Sequence, residues 1–309
     1  MGSVTKCEGS EKLMNSIISV VIPTLNAGAM IDTLLSGLEQ QNRKPDEIIV
    51  IDSSSDDDTR ELVRRHTDVK LIVIERKEFD HGGTRDMALR KSKGDFVLFL
   101  TQDALPRTSH YITDILEPFQ DERVALVYGR QVPRQDARYA ERLVREYTYP
   151  NHSVVIERED IRRMGIKAFR ATDVCSAYRR SAYYEVGGFD NPVLTNEDMF
   201  IAARLLREGW KVVYAARAQV IHSHNFTFRQ QYKRNYIQGV EIEKHKDLLG
   251  DSALTGEGMM LVKHTMKGLM RKGKLMESFR FLIDCGFRFL GNRKGAFDAN
   301  KKNESIIFH

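Results

Sequence analysis

The sequence predicts an α/β fold built on a mostly parallel sheet with flanking helices, followed by a helical C-terminal segment. Three observations carry this expectation. Apolar runs of five or six residues, rich in Val and Ile, alternate with helix-spaced segments through the first hundred residues. Each run is followed closely by a cluster of polar or turn-forming residues. Beyond about residue 226 the strand signals fade and Lys and Arg interleave with apolar residues. Strand and helix alternating at this rhythm is the pattern of βαβ units, which pair their strands in parallel.

The elements follow in order. Residues 17–22, IISVVI, read as a buried strand stopped by Pro23. Met30, Leu34, Leu35 and Leu38 are spaced for a helix over 29–41, entered through an Asn26–Gly28 turn. EIIVI at 47–51 is a second strand ending at Asp52, with a helix through Leu62 and Val63 after it. VKLIVI at 69–74 is a third strand; His81-Gly82-Gly83 reads as a loop into a helix over 84–92. DFVLFL at 95–100 is a fourth strand, ending at Thr101-Gln102-Asp103. Residues 128–165 are polar and broken by Pro133 and Pro150, with helical spacing around 136–147. A strand-and-loop region covers 173–190, a helix 196–208, and two short strands 211–214 and 219–221, just before His222-Ser223-His224.

Composition bounds the class. The chain has 309 residues, 41% hydrophobic and 29% charged, close to globular averages. This excludes a mainly disordered chain, a collagen-like fibre and a multispanning membrane protein. Cys7, Cys175 and Cys285 are odd in number and far apart, so a disulfide framework and a structural zinc site are not expected and a reducing compartment is. Residues 1–16 form an N-terminal extension without a signal-peptide core, and no long uncharged apolar stretch predicts a transmembrane helix, so a cytoplasmic location is expected. Residues 251–309 hold eleven Lys/Arg against six Asp/Glu, which accounts for the whole net charge of +5. For this basic amphipathic segment two readings stay open: packing on the main domain, or contact with an anionic membrane surface. A recognised nucleic-acid motif is lacking, and no nucleic-acid partner is expected.

In parallel α/β sheets, ligands bind beyond the carboxyl ends of the strands. Three polar clusters stand there: Pro23–Asn26, Asp52–Ser55 and Thr101–Asp103. Helix capping accounts for many such residues, so position alone does not make them a site. Neither GxGxxG nor GxxxxGK[ST] follows a strand, which disfavours a dinucleotide oxidoreductase and a P-loop NTPase. Without a glycine cradle, a bound diphosphate needs a divalent metal held by hard ligands. Asp103 is the candidate carboxylate, with His222 and His224 as candidate co-ligands.

SVVIPTLNAG, IIVIDSSSDDDT and GDFVLFLTQDALP, taken in this order and spacing, resemble the family 2 glycosyltransferases of GT-A (Rossmann-like) fold. FDHGGTRDMAL, YGRQVPR and YTYP resemble the rhamnosyltransferase branch, and the block from Ala177 to Trp210 resembles the family's second half. The resemblance covers about residues 17–240, which it marks as the glycosyltransferase domain, and leaves 241–309 as the C-terminal helical region. It implies an inverting transfer of a sugar to a glycan or polyprenyl-diphosphate-linked acceptor in cell-surface polysaccharide synthesis. L-rhamnose from dTDP-L-rhamnose is the implied donor, and Mg²⁺ or Mn²⁺ the implied cofactor. Nucleotide-sugar binding is expected at Pro23, Thr24, Asn26, Asp52, Ser54, Gly83, Arg85, Gln102 and Arg130, with Gln131 beside Arg130 as a further donor-sugar or acceptor contact. Within this set Asp52 would meet the base and Arg85 the phosphates. The family's acidic pair is reduced here to Gln102-Asp103, leaving Asp103 and His222 for the metal. Asp198 is the implied general base, with Glu197 beside it as acceptor contact or alternative base. A UDP-hexose or UDP-N-acetylhexosamine donor remains an alternative, as does a silent glycan-binding module. Peripheral contact with the cytoplasmic face of the membrane goes with a lipid-linked acceptor.

Overall fold

The computed structural model describes Leu13, residues 15–250 and residues 255–307, with side chains in the last segment from 258 to 301. The expected N-terminal extension, Cys7 included, lies outside the described residues except for Leu13, Asn15 and Ser16.

One mixed sheet of nine strands organises the chain. β1 (Ile18–Thr24), β2 (Glu47–Asp52), β3 (Val69–Val73) and β4 (Phe96–Leu100) are all parallel, in the order β3-β2-β1-β4. Their crossovers are α1 (Ile31–Glu39), α2 (Thr59–Arg65) and α3 (His81–Lys91). β1 and β4 are almost continuously apolar because helices cover both faces of the sheet. The chain then continues through β5 (Leu105–Pro106), α4 (Tyr111–Leu116), β6 (Val124–Val132), α5 (Tyr139–Thr148), β7 (Val154–Ile156) and α6 (Asp160–Met164). β8 (Cys175–Arg179), α7 (Arg180–Glu185), α8 (Glu197–Arg207) and β9 (Lys211–Ile221) complete the sheet. β8 is antiparallel to both β4 and β6, so parallel order is confined to β1–β4 and the β6–β9 pair.

Two local expectations are corrected. His81-Gly82-Gly83 is the first turn of α3 and not a loop. Asp80 caps it by accepting from the Gly83 N–H at 2.7 Å, which offsets the poor helix propensity of two glycines. The two short strands expected at 211–214 and 219–221 are one strand, β9. Its register to β6 jumps between Gly129↔Ala215 and Arg130↔Gln219, so residues 216–218 bulge, which explains the broken pattern in the sequence. A Cβ at Gly129 would lie 2.5 Å from the Ala218 carbonyl oxygen, so glycine is required at the bulge.

The C-terminal region is helical: α9 (Phe228–Lys244), α10 (Lys246–Leu249), α11 (Thr255–Arg271) and α12 (Leu275–Ile307). α9 runs through residues 240 and 241 without a break. A capping box starts it, with Thr227 accepting from the Gln230 N–H. α9 and α12 pack backbone to backbone: a Cβ at Gly239 would meet the Asn292 carbonyl oxygen at 2.2 Å, and one at Gly295 the Tyr236 carbonyl oxygen at 2.0 Å. A small apolar cluster of Ala140, Leu143, Leu269 and Phe281 fixes α11 and α12 onto α5. One face of the C-terminal helices therefore packs on the main domain. Among the described residues no helix is long and apolar enough to cross a membrane.

Candidate active site

The carboxyl ends of β1 and β4, the start of α8 and the inner face of α9 surround a cavity of about 800 Å³. Pro23 and Thr24 at the end of β1 line it, as do Gln102 and Asp103 after β4. Gln102 is committed to Leu25: its Oε1 accepts from the Leu25 N–H at 2.8 Å and its Nε2 donates to the Leu25 carbonyl at 3.1 Å. It thus ties the loop after β1 to the loop after β4.

Asp103 sits where the resemblance implies a metal ligand. Its Oδ2 lies 3.3 Å from His222 Nε2 and 3.3 Å from His224 Nε2. One ligand atom from each of the three residues fits within 4.8 Å of the others. His224, the second candidate co-ligand, completes the set. The orientation of His222 is fixed from behind, since its Nδ1 stands 2.8 Å from Gln131 Oε1. An amide oxygen only accepts, so Nδ1 carries the proton and Nε2 is left to face Asp103, as a metal-ligating histidine requires. Burial, followed by the neighbouring His222, holds His224 down at about 4, so its imidazole is neutral at physiological pH. Asp103 is held well below the ordinary carboxylate range: burial acts upward but is outweighed by the His222 hydrogen bond and charge. A carboxylate and two imidazoles converging on one point are a chemically fitting donor set for a divalent cation.

The start of α8 forms another part of the lining. Asn196 enters the helix with φ 64° and places Glu197 and Asp198 in its first turn, where the helix dipole favours negative charge. Glu197 Oε1 lies 3.2 Å from Arg85 Nη1. Arg85, only 3% exposed, also places Nε 3.6 Å from Asp173 Oδ2. The guanidinium expected at the phosphates is thus already engaged by two carboxylates. Asp173 was not foreseen. It is 2% exposed and precedes β8; its Oδ1 accepts from Ser176 Oγ at 2.6 Å and from Tyr178 OH at 2.8 Å. Its backbone N–H donates to Asp198 Oδ2 at 3.2 Å, while the Met199 N–H donates to Asp198 Oδ1 at 2.7 Å. Three carboxyl groups thus surround one guanidinium. Burial and the neighbouring carboxylates push Asp198 well above the ordinary range, and burial pushes Asp173 up to about 6 despite Arg85.

Five expected binding residues do not line this cavity. Asp52 is fully buried: Oδ1 accepts from the Ser55 N–H at 2.9 Å, and Oδ2 from Ser55 Oγ and from Thr24 Oγ1 at 3.3 Å. It braces the loop after β2, leaving Ser53 at the cavity. Asn26 accepts from the Asp56 N–H, and Ser54 donates to the Ile74 carbonyl; both hold loops in left-handed backbone, at φ 52° and 55°. Gly83 packs against Asp80 and Asn191, and a Cβ at Gly82 would meet the Asp190 carbonyl oxygen at 2.2 Å. These glycines admit the 190–193 segment rather than a phosphate. Arg130 is replaced at the cavity by Gln131, because adjacent strand residues point to opposite faces. Cys175 is fully buried and its thiol is pushed up to about 12 by burial, so it offers no thiolate nucleophile.

A parallel strand block with its polar loops at the carboxyl ends, a metal-fitting Asp–His–His set and a carboxylate pair across one cavity define a GT-A type glycosyltransferase. Comparison with known proteins agrees. The mannosyltransferase PcManGT of Pyrobaculum calidifontis, solved in complex with GDP-Man and Mn²⁺, superposes with a TM-score of 0.63 over 96% of this chain and 94% of its own, at 16% identity. The glycosyl transferase family 2 model matches residues 19–187, and the chain belongs to that family. The chain is 37% identical over 280 residues to the O-antigen chain rhamnosyltransferase WbaN of Salmonella anatum, covering 90% of this chain and 88% of the relative. It is 36% identical to RfbN, an O-antigen chain rhamnosyltransferase of Salmonella typhimurium, over 90% and 89%.

Proposed function

We propose that this glycosyltransferase moves L-rhamnose from dTDP-L-rhamnose, with inversion, onto a glycan or polyprenyl-diphosphate-linked glycan in cell-surface polysaccharide synthesis. The observation that carries a transferase mechanism is one cavity lined both by the Asp103–His222–His224 set and by Asp198. The rhamnose donor is supported by the two O-antigen chain rhamnosyltransferases, which match nearly end to end. We assign the transferase unit to residues 17–240 and the basic helical region to 241–309, with peripheral contact at the cytoplasmic face of the membrane.

Asp103, His222 and His224 would hold Mn²⁺ or Mg²⁺; when bound, the ion neutralises charge on the donor diphosphate. Two imidazoles among three ligands favour Mn²⁺ over Mg²⁺. Pro23 and Thr24 line the donor side. Asp198, held by the Asp173 and Met199 N–H groups, takes the proton of the acceptor hydroxyl as that oxygen attacks the sugar's anomeric carbon. The anomeric carbon–oxygen bond breaks with its electron pair going to dTDP. Its elevated proton affinity makes Asp198 a stronger base than an ordinary carboxylate once ionised. Glu197, anchored by Arg85, is placed to accept from a second acceptor hydroxyl.

The test is turnover across a panel of dTDP- and UDP-sugars, read as nucleotide release and product mass. dTDP-L-rhamnose is expected to be consumed first; a UDP-sugar consumed in its place would replace the donor and leave the mechanism standing.

A further inference from the structure

α12 has two unlike faces. Gly291 and Gly295 press it against α9. Away from that contact, Leu275, Phe279, Leu282, Phe289, Leu290 and Phe297 are between 47% and 69% exposed. At about 100° per residue all six fall within one stripe, with Arg293 in it, and it extends about 33 Å at 1.5 Å per residue. Met259 and Met270 on α11 are 57% and 62% exposed as well. An exposed apolar stripe of this length marks an interaction site.

Its border is cationic. Lys263, Lys267, Arg271, Lys272 and Lys274 are exposed along α11 and the turn into α12. Arg293 lies 5.9 Å from the Phe289 ring centroid, and Lys301 4.7 Å from that of Phe297. The described carboxylates of α12 are bound elsewhere: Glu277 to the Ala140 N–H, Asp284 to Arg288, and Asp298 to Lys294 and Tyr236. Two copies face to face would oppose cation to cation. Phosphate headgroups over an apolar layer complement both features, with basic side chains reaching outward past buried apolar ones.

We infer that this stripe seats on an anionic lipid bilayer, which deepens the reading of a peripheral enzyme given above. α9 connects the surface to the chemistry. Its Arg234, Gln238 and Ile242 line the cavity, while its Tyr236 and Gly239 meet α12. Two helix layers, α12 and then α9, about 10 Å each, therefore lie between the bilayer face and the cavity, a span for an acceptor glycan whose anchor stays in the membrane.

The experiment is co-sedimentation of the full chain with phosphatidylcholine vesicles, with and without phosphatidylglycerol, at low and high salt. Binding is expected on the anionic vesicles and should fall about tenfold in high salt. Phe289→Asp with Leu290→Asp, at exposed positions that leave the fold intact, should abolish it while dTDP affinity is unchanged. No binding by the wild type, or equal binding to neutral vesicles, overturns the inference. So does a wild-type dimer that these substitutions make monomeric without changing vesicle binding. Loss of dTDP binding with vesicle binding intact supports the surface and removes only the donor reading.

Discussion

Asp173→Asn separates the chemistry of the carboxyl cluster from its packing. The amide oxygen can still accept from Ser176 and Tyr178, and Arg85 keeps Glu197 at 3.2 Å. What disappears is a negative charge beside Asp198. Two unit charges ~5 Å apart at an effective dielectric constant of about 20 interact by roughly 3 kcal/mol. That equals about two pKa units. Asp198 would then titrate lower and accept a proton less readily, slowing transfer about tenfold on the pH plateau while the acid limb of kcat/KM moves to lower pH. Stability responds with its own sign. Asp173 is raised to about 6 in the fold from an ordinary 3.8, so the wild type loses stability as pH rises between these values. An asparagine does not titrate, so the variant's Tm should gain on the wild type from pH 4 to pH 6 and hold that gain above. Asp173→Ala instead strips two buried hydroxyls and Arg85 of a partner and should cost about 2–4 kcal/mol. The assays are transfer from the proposed dTDP-L-rhamnose donor at pH 5 to 9 and thermal unfolding at pH 4 to 8. An unshifted acid limb and unchanged plateau in Asp173→Asn would refute the coupling.

Asp198→Asn should lower transfer by about a thousandfold with donor affinity retained; near wild-type turnover would remove Asp198 as the base. Gln131→Ala should weaken metal-dependent donor binding by freeing His222, whereas Arg130→Ala should leave it unchanged; titration with dTDP and Mn²⁺ distinguishes the two. Because burial holds His224 down at about 4, its own protonation should cost Mn²⁺ affinity only as pH approaches 4; comparing wild type with His224→Ala isolates that share, and a His224-dependent loss centred near pH 6.5 would contradict the depressed value. Gly82→Ala should lower stability by about 1–3 kcal/mol through contact with the Asp190 carbonyl, with dTDP affinity in the surviving folded protein unaltered.

The parallel half of the sheet was legible because its central strands are short apolar runs punctuated by Pro23, Asp52 and Asp103. The candidate metal ligands were partly legible, since both histidines sit just past a strand. Other features depend on what packs from far away. Asp173 has no local signature; it matters because α3 brings Arg85 and α8 brings Glu197 and Asp198 to the same point. Gln131 and Arg130 differ by one residue, and the bulge at 216–218 opposite them hides which of the two faces inward. Asp52 looked free at a strand end, yet Ser55, three residues later, turns back onto it. The two glycines at 82–83 were read against a ligand when the segment at 190–193 fills that space. The amphipathic character of α12 was visible, but only packing shows which apolar positions are consumed by α9 and which are left outside.

Calorimetric titration with dTDP and UDP, each with and without Mn²⁺, tests the donor and metal claims together in the wild type and in His224→Ala. The account predicts Mn²⁺-dependent binding of dTDP in preference to UDP, weakened at least tenfold by the substitution. Binding indifferent to Mn²⁺ and to His224, or none of either nucleotide, would contradict it.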